Sequence, residues 1–356
     1  MAADTVLAQQ TAMEREIAQA PEAVARLLDA ERSNFVSIGK RLRKLDPSVV
    51  VTCARGSSDH AAGFFKYGLE ILLGVPVASM GPSVASIYQA PLRMRGGVQL
   101  SISQSGQSPD IVTLQTAAKR AGALTIAIVN HVDSPLAEGA DIVVPMHAGL
   151  EESVAATKSF IASAVAAAAI IAAWSEDRSL QMALEALPDR LSDALSLDWQ
   201  KAIEPLATTD SLYVLGRGPS FPIAMETALK FKETMSLHAE AFSAAEVMHG
   251  PLSLVQDGFR IFAFNPSDAS HPGMSAVLDR LRIAGAEVFF VAENGTANKA
   301  SDGPNEGRLP MTASGHLLTD PIAMCLSSYQ LIEGLARRRG YDPDNPTNLK
   351  KVTETV

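Results

Sequence analysis

Two stretches of this chain repeat one another in outline. Val49 to Glu70 reads VVVTCARGSSDHAAGFFKYGLE, and Ser211 to Glu233 reads SLYVLGRGPSFPIAMETALKFKE. Each opens with an apolar run of strand length, turns through Arg-Gly-x-Ser and continues in a helical pattern, with Gly56 and Gly218 in corresponding places. This is one duplication, not a short-period array. Whatever the first half folds into, the second half must therefore fold into as well.

Around the first copy, strand-like runs at Val49 to Cys53, Pro76 to Ser79, Val98 to Ser103, Leu124 to Val129 and Ile142 to Pro145 alternate with helical segments such as Asp59 to Leu73 and Asp110 to Ala121. Apolar runs separated by helices indicate a parallel sheet covered on both sides. In the second half, strands are expected at Leu212 to Leu215, Phe259 to Phe264 and Glu287 to Val291. The expected fold is α/β. It has an N-terminal helical segment over 1–45, one sheet domain over 46–195, a second over 196–340, and a tail over 341–356.

With 356 residues and 47% hydrophobic content, the chain has material for about two domains. The formal charge of -9 argues against attraction to nucleic acid or to an anionic membrane through the overall field. Cys53 and Cys325 stand outside any pair motif, so neither a disulfide framework nor a cysteine zinc site is expected, and a reducing cytoplasm is the expected setting. The seven histidines show no ligand-like pairing, and no metal or organic cofactor is expected. The first residues lack a basic start followed by an apolar core, so no signal peptide is expected. The most apolar run, Phe160 to Trp174, is shorter than the roughly 18 residues that span a bilayer. It is mostly alanine and reads as part of a buried helix, Val154 to Trp174, which another helix can approach closely. A further helix is expected around Leu180 to Leu197. The polar tail from Tyr341 reads as a frayed end.

The stretch SISQSGQSPD, Ser101 to Asp110, is a polar knot between a strand and a helix. Backbone N–H groups and hydroxyls at a helix N-terminus form an anion site, and in a parallel sheet such loops lie at the carboxyl edge. Ser103, Ser105 and Ser108 supply hydroxyls, Gln104 an amide, and Gly106 close backbone approach. An ordinary serine-capped helix start is the plainer reading, but one serine suffices for a cap. Ser57 and Ser58, after Gly56, open a second hydroxyl-rich helix. No P-loop lysine pattern or G-x-G-x-x-G fingerprint is present. The offset that carries Gly56 to Gly218 carries Ser103 to Asn265, so the knot is degraded in the second copy, and one phosphate site per chain is expected.

The densest titratable cluster is METALKFKETMSLHAEAFSAAEVMHGP. Glu226, Lys230 and Glu233, spaced four and three apart, share one helix face. Spacing alone fits a solvated ion-pair ladder; the flanking Met225, Leu229 and Met235 argue that the helix is packed. His249 follows in a turn set by Gly250 and Pro251.

These stretches, together with VAATKSF and NPTNLKKVTETV, resemble the sugar isomerase (SIS) domain family, in the double-domain form found in SIS-type glucosamine-6-phosphate deaminases and in the isomerase half of glucosamine-6-phosphate synthase. The resemblance covers nearly the whole chain. It implies two tandem SIS domains, each a flavodoxin-like three-layer sandwich. It implies that the loops with Ser57, Ser58 and Ser103 to Ser108 hold a sugar phosphate, with Val154, Ala155 and Lys350 at the sugar. Glu233 is implied as the base that moves a proton between C2 and C1, supported by Glu226 and Lys230. His249 is implied in ring opening, donated into a neighbouring subunit's site, hence a homodimer. Lys351 matches the tail lysine near the substrate carbonyl, although Lys350 and Val352 depart from the family's Asn-Leu-Ala-Lys-Ser ending.

The synthase carries a glutaminase domain with a cysteine nucleophile at its amino end, and neither cysteine here lies near the start. The expected reaction is deamination of glucosamine 6-phosphate to fructose 6-phosphate and ammonia. The alternatives are a deglycase or isomerase for another aminosugar phosphate, such as fructosamine or galactosamine 6-phosphate, or a non-catalytic sugar-phosphate sensor. The sensors of this family carry a DNA-binding domain, and none is visible in this sequence.

Overall fold

A computed structural model describes residues 10–293, 306–349 and 351. The chain forms two compact units. One comprises residues 20–150 and 158–188, and Lys351 belongs with it; the other comprises residues 10–19, 151–157 and 189–349. Helix α1 (Ala12–Ala18) thus belongs to the second unit, and the first begins with α2 (Ala20–Ala30) and α3 (Arg32–Leu45).

In the first unit, β1 (Val50–Cys53), α4 (Ser57–Leu73), β2 (Val77–Ser79), the short α5 (Ser83–Ser86), β3 (Val98–Ser103), α6 (Pro109–Arg120), β4 (Leu124–Val129), α7 (Pro135–Gly139) and β5 (Ile142–Pro145) alternate as expected. The sheet is parallel throughout, in the order β2-β1-β3-β4-β5. Every residue of β1, β3 and β4 is buried, which is why these strands read as unbroken apolar runs. One face packs Cys53, Ala127 and Val129 against Ala85, Ile111, Leu114 and Leu136 of α5, α6 and α7. Helix α8 (Lys158–Ser175) packs with α3 and α4.

Helix α8 has 18 residues, long and apolar enough to cross a bilayer by length and composition, but 89% of its most apolar window is buried inside the protein. Its alanines do admit a close neighbour: a Cβ added to Gly39 of α3 would lie 2.2 Å from the Ala173 carbonyl oxygen. Arg43 closes the end of α8 by donating to Trp174 O at 3.0 Å. The helix expected from Val154 starts only at Lys158. Residues 151–157 form a loop in which side-chain carboxylates, not helical carbonyls, take the N–H groups of Glu152, Ser153 and Thr157.

In the second unit, α9 (Arg178–Leu195) runs in from the first, followed by α10 (Ile203–Ala207), β6 (Ser211–Gly216), α11 (Ser220–Met235), β7 (His238–Ser243), β8 (Arg260–Phe264), α12 (His271–Ile283), β9 (Glu287–Glu293), β10 (Arg308–Met311) and α13 (Asp320–Arg338). The sheet order β7-β6-β8-β9-β10, all parallel, is that of the first sheet strand for strand. The duplication is therefore one of topology. Both sheets have the 2-1-3-4-5 order of flavodoxin-like folds. Strands β7 and β10 were not evident in the sequence. Both are edge strands: β7 is largely exposed or half-buried, and β10 contains Pro310, which only an edge tolerates. The tail is not frayed where it is described, since Asp344 accepts from the N–H groups of Ala12 (2.6 Å) and Met13 (2.8 Å) at the start of α1.

Candidate functional site

The first centre lies where β1 and β3, adjacent in the sheet, end and their chains leave in opposite directions. This is the topological switch point, where open α/β sheets take ligands. Two helix starts converge on that edge: α4, beginning with Ser57 and Ser58, and α6, preceded by Ser103 to Ser108. Ser108 occupies the cap position of α6 but makes no capping hydrogen bond, so this is not the plain serine cap. Ser103, buried, accepts from Gly106 N at 3.1 Å, and Ser105 accepts from Gln107 N at 3.3 Å. Those bonds fold the loop and leave each hydroxyl proton available for an acceptor. The Gln104 amide nitrogen lies 3.5 Å from the His131 ring. Gly106 has φ 64, and a Cβ there would meet Ser134 Oγ at 2.1 Å, so no other residue fits that turn.

A pair the sequence did not reveal joins the two loops. Arg55, after β1, donates to the Asp110 carboxylate of α6 at 2.7 Å. Asp110 is 2% exposed on its side chain and Arg55 51%. Fifty-odd residues separate them, and nothing in their spacing signals the contact. Beneath them, burial and the charge of Asp110 push the Cys53 thiol up to about 12.

The second centre is on α11. Glu226, Lys230 and Glu233 do share a face, but it is not solvated: Glu226 and Lys230 are fully buried, and only Glu233 reaches the surface, at 22% side-chain exposure. The Lys230 ammonium lies 3.5 Å from Glu226 Oε1 and forms an ion pair with Glu233 Oε2. Burial alone would lower the pKa of Lys230, but the carboxylates of Glu226, Glu233 and Glu151 outweigh it and hold the group above its ordinary value. Tyr329 of α13, fully buried, donates its hydroxyl to Glu226 Oε1 at 3.1 Å, and burial beside Cys325 and Glu226 keeps the phenol protonated. Tyr329 and Glu151 were not singled out in the sequence, since nothing local marks a tyrosine as bonding Glu226 over a hundred residues away or a glutamate as facing Lys230 about eighty residues away.

His249 is exposed at the end of a short 3₁₀ turn, Glu246–His249, after β7. The turn that follows is held by Tyr213, whose hydroxyl donates to Pro251 O at 3.1 Å. Val154 is half-buried and Ala155 buried in the loop 151–157, which belongs to the unit of α11. Lys351 groups with the unit of the serine loops. Lys350 lies outside the described residues.

Two parallel sheets of identical order, one with hydroxyl-lined helix starts at its switch point, define an α/β protein of the tandem SIS type. The chain belongs to the SIS domain family, which matches residues 46–173 and 206–298. The glutamine–fructose-6-phosphate aminotransferase (isomerizing) of Sulfurisphaera tokodaii is 31% identical over 344 residues, 96% of this chain and 56% of that protein. The chain thus spans about half the length of the curated relatives it matches. Among solved structures, a protein assigned as a phosphosugar isomerase from Silicibacter pomeroyi DSS-3 is 45% identical, with a TM-score of 0.87 over 94% of this chain and 100% of that one. The C-terminal domain of glucosamine-fructose-6-phosphate aminotransferase from Francisella tularensis is 28% identical, with a TM-score of 0.85 over 95% of this chain and 99% of that one.

Proposed function

We propose that this chain is an SIS-type phosphosugar isomerase that acts on an aminosugar phosphate, converting glucosamine 6-phosphate and water to fructose 6-phosphate and ammonia. The observation that carries the reading is the α11 run, in which one partly exposed carboxylate, Glu233, is held by a buried lysine whose pKa its carboxylate neighbours raise. A carboxylate fixed on one oxygen and open on the other suits proton transfer between adjacent carbons.

The steps follow from the groups present. The serine loops and the starts of α4 and α6 take the phosphate through hydroxyl and backbone donors. His249, contributed by a neighbouring copy, assists opening of the pyranose. Glu233 takes the C2 proton and delivers it to C1, while Lys230 and Lys351 offset the negative charge that develops on oxygen. The product of that transfer is a C2 imine, which water hydrolyses to the ketone and ammonia. Neither cysteine of these residues is suited to act as a nucleophile. Both cysteines are buried, and burial raises the pKa of each.

The test is ammonium release, measured by a coupled assay, across glucosamine, galactosamine and fructosamine 6-phosphates. The reading predicts that the glucosamine ester gives the highest kcat/KM. Preferential turnover of another ester would reassign the substrate, and ketose formation without ammonium would reassign the reaction to simple isomerisation.

A further inference from the structure

The loop 151–157, which carries Val154 and Ala155, has no regular structure, yet carboxylates fix its backbone at both ends. Glu16 of α1, only 3% exposed, accepts from the N–H groups of Glu152 and Ser153; Ser153 N lies 3.4 and 3.3 Å from its two oxygens. Glu151, also 3% exposed, accepts from Thr157 N at 3.0 Å and from the Thr157 hydroxyl at 3.5 Å. The same Glu151 contributes to the field on Lys230. The three residues between these clamps, Val154, Ala155 and Ala156, are therefore presented in one conformation.

A buried carboxylate is an expensive way to hold a loop, and α1 does not need it for packing. Its core contacts come from Met13 and Ile17, both buried. The helix is itself anchored to the C-terminal segment: Asp344 takes the N–H groups of Ala12 and Met13, and Thr11 donates to Glu333 at 2.9 Å. Helix α1 is thus a strut, with one end on the C-terminal segment and Glu16 on the loop.

We infer that Glu16 is a positioning residue for sugar binding: by holding the Glu152 and Ser153 peptides, it sets the Val154–Ala155 backbone against the sugar. This rests on the proposed function, together with the family resemblance that implies those two residues at the sugar, and on the proximity of the same loop to the α11 run through Glu151 and Lys230. Contacts made equally in the ground and transition states change KM and leave kcat alone. Glu16→Gln keeps the size but presents only one acceptor oxygen and places an NH₂ group where backbone N–H groups point. It should raise KM for glucosamine 6-phosphate about tenfold or more, with kcat within about twofold. Inhibition by inorganic phosphate, which reads the serine loops alone, should stay unchanged. A second measurement needs no variant: in the wild type, glucosamine 6-phosphate should slow amide hydrogen exchange at 152–157. An unchanged KM in a folded Glu16→Gln protein overturns the inference, and so does a KM rise matched by equal loss of phosphate inhibition, which marks general distortion. Exchange at 152–157 indifferent to bound sugar overturns it even if the variant does not fold. If the wild type binds no aminosugar phosphate at all, the proposed function fails and this inference falls with it, an outcome distinct from binding that ignores Glu16.

Discussion

Lys230 shows how the burial of a single residue separates a buried ion-paired cluster from a surface ladder. Its ammonium is wholly buried, and three carboxylates keep it charged. Breaking a buried pair by removing one partner typically costs about 3–5 kcal/mol, because the remaining charges are left uncompensated. Lys230→Met should therefore lose stability on that scale in denaturant titration, beyond what a surface lysine would cost, and should lose activity with it. The pH dependence has a definite sign. A lysine whose folded pKa lies above the ordinary 10.5 contributes its full stability below 10.5 and loses it as pH rises through the raised value. The wild type should weaken in that alkaline window, and Lys230→Met should show a flatter profile there. A variant as stable as the wild type, with the same alkaline slope, would mean that the buried charge is of no consequence.

At the scale of elements, the turn before α6 depends on Gly106. Its left-handed φ and the 2.1 Å approach to Ser134 that any Cβ would make are both intolerant of substitution. Gly106→Ala should cost about 1–3 kcal/mol of stability from backbone strain and should weaken inhibition by inorganic phosphate, because Ser103 and Ser105 hang from the same loop. A thermal melt and a phosphate titration read the two effects; unchanged phosphate inhibition would separate the loop from the anion. The elements most legible in the sequence were those that read as unbroken apolar runs. β3, β4 and β5 match the expected spans residue for residue, and β1 does so to within one residue. The helix expected from Val154 starts four residues later because alanine-rich continuity in the sequence cannot show that carboxylates of Glu16 and Glu151 capture the N–H groups of Glu152, Ser153 and Thr157. The α11 face was legible as spacing, but its burial was not, since burial comes from Tyr329 and the rest of α13, a hundred residues on. The Arg55–Asp110 pair was invisible for the same reason: long-range pairing leaves no local mark.

For the whole molecule, the duplication has a functional consequence. Both halves have the same strand order, but the offset that joins Gly56 to Gly218 puts Asn265 where the first half has Ser103, and Asn265 is buried and bonded to Ser275 at 3.2 Å. The two copies differ: one has the hydroxyl-rich loops and the other the buried Glu226–Lys230–Glu233 run. If His249 serves a neighbouring chain, as proposed, then Glu233→Gln and His249→Ala proteins, each inactive alone, should recover part of their activity when mixed and allowed to exchange subunits. Mixtures that stay inactive, or active protein that is monomeric by light scattering, would return His249 to its own chain.

The central claim is that Glu233 moves the proton, and the most direct measurement is isotope transfer. Turnover of glucosamine 6-phosphate in D₂O should place solvent deuterium at C1 of the fructose 6-phosphate formed, read by NMR. Glu233→Gln should keep KM near the wild-type value, lose roughly a hundredfold to ten-thousandfold in kcat, as removal of a general base does, and incorporate no deuterium on the same timescale. A Glu233→Gln protein that releases ammonium and exchanges deuterium at close to the wild-type rate would contradict the account and reduce the Glu226–Lys230–Glu233 run to a buried ion pair.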